Sequence, residues 1–211
     1  MTHGPAMLHH IPAAPCGRIP SDETCQAWWR AYDMLPHIER HSAQVAAIAT
    51  EIATLAVAAG KTIAADLGAD DAVRLVRAAA LLHDLGKTYC IRHGGNHSQL
   101  GAAWAMECTG NPRLAQGVLH HVYWPGALDP ELHFLPLVVS YSDKRVRHEE
   151  IVSVDERFTD LLERYGRTPQ SREHIHRTWA QARQLESTLS TYLGVPLHEH
   201  PFDCRRLVPG A

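Results

Sequence analysis

The chain has 211 residues, 45% apolar and 20% charged, with a formal net charge of −3, so it is long enough for one domain with appendages whose core needs neither disulfide nor metal to fold. The slightly acidic balance excludes a generic nucleic-acid binder, which carries a basic excess. Apolar runs no longer than Ala78 to Leu82 exclude a transmembrane helix, which needs about 20 such residues.

From the N-terminus, residues 1–20 hold four prolines and three histidines without periodicity. They read as a flexible leader, with neither the basic start nor the apolar core of a signal peptide. Ser21 is an N-cap, with Asp22 and Glu23 in the first turn of a helix to about Asp33. A second helix starts at Pro36 and carries Ile38, Val45, Ile48, Ile52, Leu55 and Ala59 on one face, with Gly60 as its stop. A third runs from after Asp70 to about Asp84 on Val73, Val76 and Ala80. Residues 86–96 read as a loop. Helices follow over about 97–108 and 112–121, and then a loop over 122–130 with Pro125-Gly126 as turn chemistry. Next come helices over about 131–145, with Pro136 kinking it or marking its start, and over 155–165. A long helix over 169–193 carries Ile175, Trp179, Ala182, Leu189 and Tyr192 as its stripe, and Gly194-Val195-Pro196 ends it. Residues 195–211 read as a tail. No segment reads as a strand, and the fold class is all-α. Cys16, Cys25, Cys90, Cys108 and Cys204 form no CxxC pair and read as reduced thiols of a cytoplasmic protein.

Polar residues interrupt the apolar stripes. His41 lies between Ile38 and Val45 at spacings of three and four. His83 follows Val76 and Ala80, His121 follows Leu114 and Val118, Asp143 is four past Val139, and His97 leads Leu100 and Trp104. Asp84 sits beside His83 near a helix end, where the chain can turn it inward. A lone histidine on an apolar face is ordinarily a hydrogen-bonded core residue. Five helices each turning a His or Asp inward call for a shared partner, because buried polar groups must be paired and buried charges paired or bound to metal. Imidazole and carboxylate form a mixed N/O ligand set suited to Fe, Mn, Zn, Co or Ni. There are more candidates than one ion needs, which points to two ions about 3.5–4 Å apart sharing a carboxylate.

At these residues the sequence resembles the HD-domain family of metal-dependent phosphohydrolases, in the branch with an HDIG-type motif. The motif here is HDLGK, with Leu in place of Ile. An early His, the His-Asp pair and a late Asp are matched in order by His41, His83, Asp84 and Asp143, within LPHIERHSAQVA, ALLHDLGK and VVSYSDKRV. The two further histidines of dinuclear members are matched by His97 in NHSQLGA and His121 in VLHHVYW, with His120 the weaker candidate. The resemblance covers about residues 35–165, through VDERFTDLLERYG. It implies a helical bundle around a divalent metal centre of two ions, with Mg joining the metals above as undistinguished choices. It also implies hydrolysis of a phosphate ester or anhydride of a nucleotide or related small molecule. A Gly-Tyr-Pro motif of the cyclic-dinucleotide branch is absent, and a branch with a comparable two-histidine insert cleaves dinucleoside polyphosphates.

On this reading His41, His83 and Asp143 hold one ion, His97 and His121 the second, and Asp84 bridges both while a bridging water attacks phosphorus. Asp84 and Lys87 are the catalytic candidates, with Lys87 placed to reach a phosphate oxygen or only to offset a helix dipole. Arg92, Tyr123 and Arg145 are substrate-binding candidates: Arg92 beside the motif, Tyr123 for stacking on a base, and Arg145 for phosphate or for pairing with Glu149. Trp124 stacks likewise or plugs its loop. His174 and His176 read as a polar helix face, His9-His10 as leader, and His198 and His200 as tail residues able to hold a stray ion. The stripe of the last helix is core, or a homodimer seam. A di-iron oxygenase on the same fold and a non-catalytic nucleotide sensor are the competing functions.

Overall fold

The computed structural model describes residues 17–202. Nine helices follow in order among the described residues: α1 (Asp22–Ala31), α2 (Pro36–Ala58), α3 (Ala69–Leu82), α4 (Lys87–His93), α5 (His97–Thr109), α6 (Pro112–His120), α7 (Pro130–Lys144), α8 (Val154–Tyr165) and α9 (Pro169–Leu193). The fold is all-α, as expected from the sequence. Side-chain caps set several helix starts. Ser21 opens α1, Asn96 opens α5, Asn111 opens α6 and Asp129 opens α7, each oxygen accepting from first-turn N–H groups that lack intrahelical partners. Ser153 and Glu156 form a reciprocal capping box at α8.

The core is built on α2 and α3, the most extensively packed pair. Small residues let their backbones approach: Ala46, Ala49, Ala53 and Ala56 on α2, and Ala78, Ala79 and Ala80 on α3, are all buried. α7 packs across α2, α3 and α6 with Leu137, Val138 and Val139 fully buried. A Cβ on Gly117 of α6 would lie 2.5 Å from Leu135 Cδ2 and 3.3 Å from Ala79 Cβ, so the glycine leaves the space that the Leu135 side chain of α7 fills. α9 lies along α8 and α7. Its Ala182, Leu185 and Leu189 are buried, and Trp179 stacks on Phe158 with centroids 5.8 Å apart, so most of the stripe packs into the core of its own chain.

Four expectations need correction. The 86–96 loop contains α4, a seven-residue helix too short to show a period, ended by Gly94 at φ +79°. Two strands are present, β1 (Val146–Arg147) and β2 (Glu150–Ile151), paired antiparallel with Val146 opposite Ile151. Two residues each cannot display an alternation, and the turn carries His148 at φ +56°. The end of the leader is docked: Arg18 N–H donates to Thr109 O, and Asn111 Nδ2 to Gly17 O. The start of the tail is docked too, with Leu197 and Phe202 buried. His9-His10, Cys16 and Cys204 lie outside the described residues; Cys25, Cys90 and Cys108 are free thiols. Pro136 is inside α7, and the kink falls at His133, near the helix start. Among the described residues no helix is long and apolar enough to cross a membrane.

Candidate metal centre

Helix ends deliver the site. His83 is the C-cap of α3 and His121 the C-cap of α6. In both, the ring Nδ1 lies 2.7 Å from the carbonyl three residues back, Ala80 O and Val118 O. The last carbonyls of a helix lack intrahelical donors, so Nδ1–H donates to them and Nε2 is left pointing inward with its lone pair free. His41, on α2, is oriented the same way by a different device: its Nδ1 lies 3.1 Å from His148 O in the β1–β2 turn. His97 is the first residue of α5, and Asp143 is in the last turn of α7.

These side chains converge on Asp84, which is fully buried. Its two oxygens face different partners. Oδ2 lies 3.3 Å from His83 Nε2 and 3.9 Å from His41 Nε2, while Oδ1 lies 3.4 Å from His97 Nε2 and 3.6 Å from His121 Nε2. Asp143 Oδ1 closes the first group, 3.0 Å from His41 Nε2 and 3.7 Å from His83 Nε2. Two sets of three ligand atoms result, His41 with His83 and Asp84, and Asp84 with His97 and His121. All six residues singled out in the sequence are brought together.

The fit to a cation can be judged from what the protein leaves unsatisfied. His83 Nε2 and Asp84 Oδ1 are buried with no hydrogen-bond partner, a cost of about 1–3 kcal/mol each in a folded chain. Across the second set, His97 Nε2 and His121 Nε2 face each other at 3.1 Å. Imidazole nitrogens and carboxylates aimed at common points are the donors a divalent ion of the Fe, Mn, Co, Ni or Zn type takes. Burial works to raise the Asp84 carboxyl, but Lys87, His83 and His121 outweigh it and hold it well below its ordinary value. The same opposition, won by Lys144 and His41, holds Asp143 down. Burial pushes His121 well below the ordinary histidine value, and His97 below it. His83 moves the other way: burial opposes its charge, yet Asp84 and Asp143 raise it.

The remaining candidates separate. Lys87, the first residue of α4, donates from Nζ to Asp84 Oδ2 at 2.6 Å and so belongs to the site. Arg92 does not: α4 turns it toward Asp33, with which it forms an ion pair. Arg145 is also corrected. It is buried at the end of α7 and donates to Val152 O, Tyr141 OH and Leu197 O, so it ties the β1–β2 hairpin and the 195–202 segment to the core. Glu149 pairs with Arg40 instead. Tyr123 lines a cavity next to His97. Trp124 is buried and donates from Nε1 to Ala127 O, plugging its loop. His176 packs against Trp179, and His200 lies 3.6 Å from Glu51.

One functional side chain escaped the sequence reading. Lys144 is buried and donates from Nζ to Asp143 Oδ2 at 2.7 Å and to His121 O at 2.8 Å. It fixes residues of both ligand sets. Its signal in the sequence was a lysine in the apolar-flanked run that ends α7, next to a candidate ligand.

The chain belongs to the HD-domain family, whose model matches residues 38–165. No curated protein and no solved structure matches it. The family is one of metal-dependent phosphohydrolases, and the matched segment contains all six converging residues.

Proposed function

We propose that this protein is a cytoplasmic phosphohydrolase that cleaves a phosphate ester or anhydride of a nucleotide or related small molecule. The observation that carries the reading is the division of the Asp84 oxygens between two histidine sets. His41, His83 and Asp143 would hold one divalent ion, His97 and His121 would hold a second, and Asp84 would supply one carboxylate oxygen to each set. Such a pair supplies a water acidic enough to attack near neutral pH and positive charge against the phosphoryl oxygens. The chain's own part is orientation and charge. The carbonyls of Ala80, Val118 and His148 lie against Nδ1 of their imidazoles and leave Nε2 of each ring aimed inward. Lys87, partly exposed and held by Asp84, offers its ammonium to a phosphate oxygen.

Phosphate release from a panel of nucleotides and dinucleoside polyphosphates, with Mn, Co, Ni or Fe supplied, tests the proposal. Release from at least one compound is expected, and its loss in Asp84→Ala. Oxygen uptake on a substrate with no phosphate release would replace it with the oxygenase reading. Nucleotide binding without turnover in metal-replete protein would replace it with the sensor reading.

A further inference from the structure

A cavity of about 620 Å³ opens beside the second ligand set, within the range of roughly 300–1,000 Å³ typical of small-molecule sites. His97 is in its wall and belongs to the site as well. The rest of the wall comes from the start of α5, the end of α6, the loop holding Tyr123, and α9, which contributes His174 and Arg177. No carboxylate is among the lining residues. α9 lies beyond residue 165, outside the segment matched by the family model. The α9 part of this wall, His174 and Arg177, therefore lies outside the matched segment.

Arg177 is the cation of that wall. Its guanidinium lies over the Tyr123 ring, 5.1 Å from the centroid, and one of its nitrogens is 3.3 Å from His174 Nδ1. No carboxylate among the described residues forms an ion pair with it, although most other arginines of the cluster around α8 and α9 have one, such as Arg183 with Asp155. A guanidinium presents a planar fork matched to phosphate oxygens. Here it rests on an aromatic ring that limits its motion without neutralising it.

We propose that Arg177, oriented by Tyr123 and His174, receives a second phosphate group of the substrate. The chain then acts on di- or polyphosphorylated molecules in preference to simple monoesters. This rests on the phosphohydrolase reading for which phosphate is cleaved, but the binding step is testable without turnover.

The experiment titrates β,γ-methylene-ATP, which resists cleavage at that bond, and methylphosphonate, a single-anion control, into metal-loaded protein. Wild type, Arg177→Ala and Arg177→Lys are compared by calorimetry, with metal content and melting temperature measured alongside. Arg177→Ala is expected to weaken β,γ-methylene-ATP about tenfold or more and to leave methylphosphonate within about twofold, the size expected for one lost charge-assisted contact. Arg177→Lys recovers part of the loss, and metal content is unchanged. Equal weakening of both probes, no weakening, or no binding of β,γ-methylene-ATP to wild type overturns the proposal. Preserved selectivity in a protein that hydrolyses nothing defeats the hydrolase reading and leaves the subsite standing. Hydrolysis whose preference for polyphosphates over p-nitrophenyl phosphate survives Arg177→Ala does the reverse.

Discussion

Asp84 has no slack: every atom of its carboxylate faces a site partner, and the side chain is sealed from solvent. Around it, residues that never touch substrate set ligand positions, and Lys144 is the sharpest case. Replacing it with Met keeps the packing but leaves Asp143 Oδ2 and His121 O without their donor. Metal affinity, read by competition with a chelator, should fall about 10–100-fold; unchanged affinity would remove Lys144 from the site. Arg145 is expected to behave as a structural residue. Arg145→Ala should lower stability to urea by about 3 kcal/mol, since three buried acceptors lose their donor, while the folded variant keeps the wild-type KM for a phosphate substrate. Cys25 gives a pH test remote from the site. Burial first, and Asp22 second, push its thiol up to about 12. An unfolded thiol loses its proton near pH 8.5, so between there and about pH 12 the folded chain holds a proton the unfolded chain releases, and stability falls as pH rises. By pH 10 the loss is about 2 kcal/mol relative to pH 8. Denaturant unfolding at both pH values should show that difference in wild type and its absence in Cys25→Ala.

At the scale of elements, the site is an arrangement of helix ends, and the glycines among them set how near the ends can come. A Cβ on Gly86 would lie 2.7 Å from His97 O and 2.8 Å from Gly101 N, both backbone atoms that cannot move independently. Gly86→Ala should therefore displace the start of α5 and with it His97. Elemental analysis should find the second ion depleted more than the first, and equal occupancy would count against this coupling. The same elements explain what was legible in the sequence. Long helices announced themselves by period, and the inward histidines were visible because they broke it: His41 between Ile38 and Val45, His121 after Leu114 and Val118. α4 and the β1–β2 hairpin were too short to carry a period, yet they position Lys87 and the His148 carbonyl that orients His41. Arg92 and Arg145 were misjudged because nearness in sequence to a ligand says nothing about direction. One turn of α4 carries Arg92 to Asp33, and the end of α7 buries Arg145 under the hairpin. Arg177 and His174 were unreadable as cavity residues, since only the packing of α9 along α8 and α7 brings them to Tyr123.

Taken as a whole molecule, the chain uses a small-residue pair, α2 and α3, as a rigid base on which α5, α6 and α7 each deliver one or more ligands to a point. Five separate elements converge there because each carries its polar residue within or at the end of an apolar face, and burying those faces moves the ligands together. Folding thus leaves polar atoms without hydrogen-bond partners, His83 Nε2 and Asp84 Oδ1, buried at the site, and bound ions should stabilise the folded chain by mass action. Stripping the metals with a chelator should lower the melting temperature, and readdition should restore it. At the centre of the molecule a single carboxylate, Asp84, faces two sets of cation ligands. Metal equivalents per chain, measured by elemental analysis on protein reconstituted under anaerobic conditions, test its role in both sets most directly: two for wild type, one for His97→Ala and none retained in Asp84→Ala. Wild type that never holds more than one ion, or Asp84→Ala that holds as many as wild type, would contradict it.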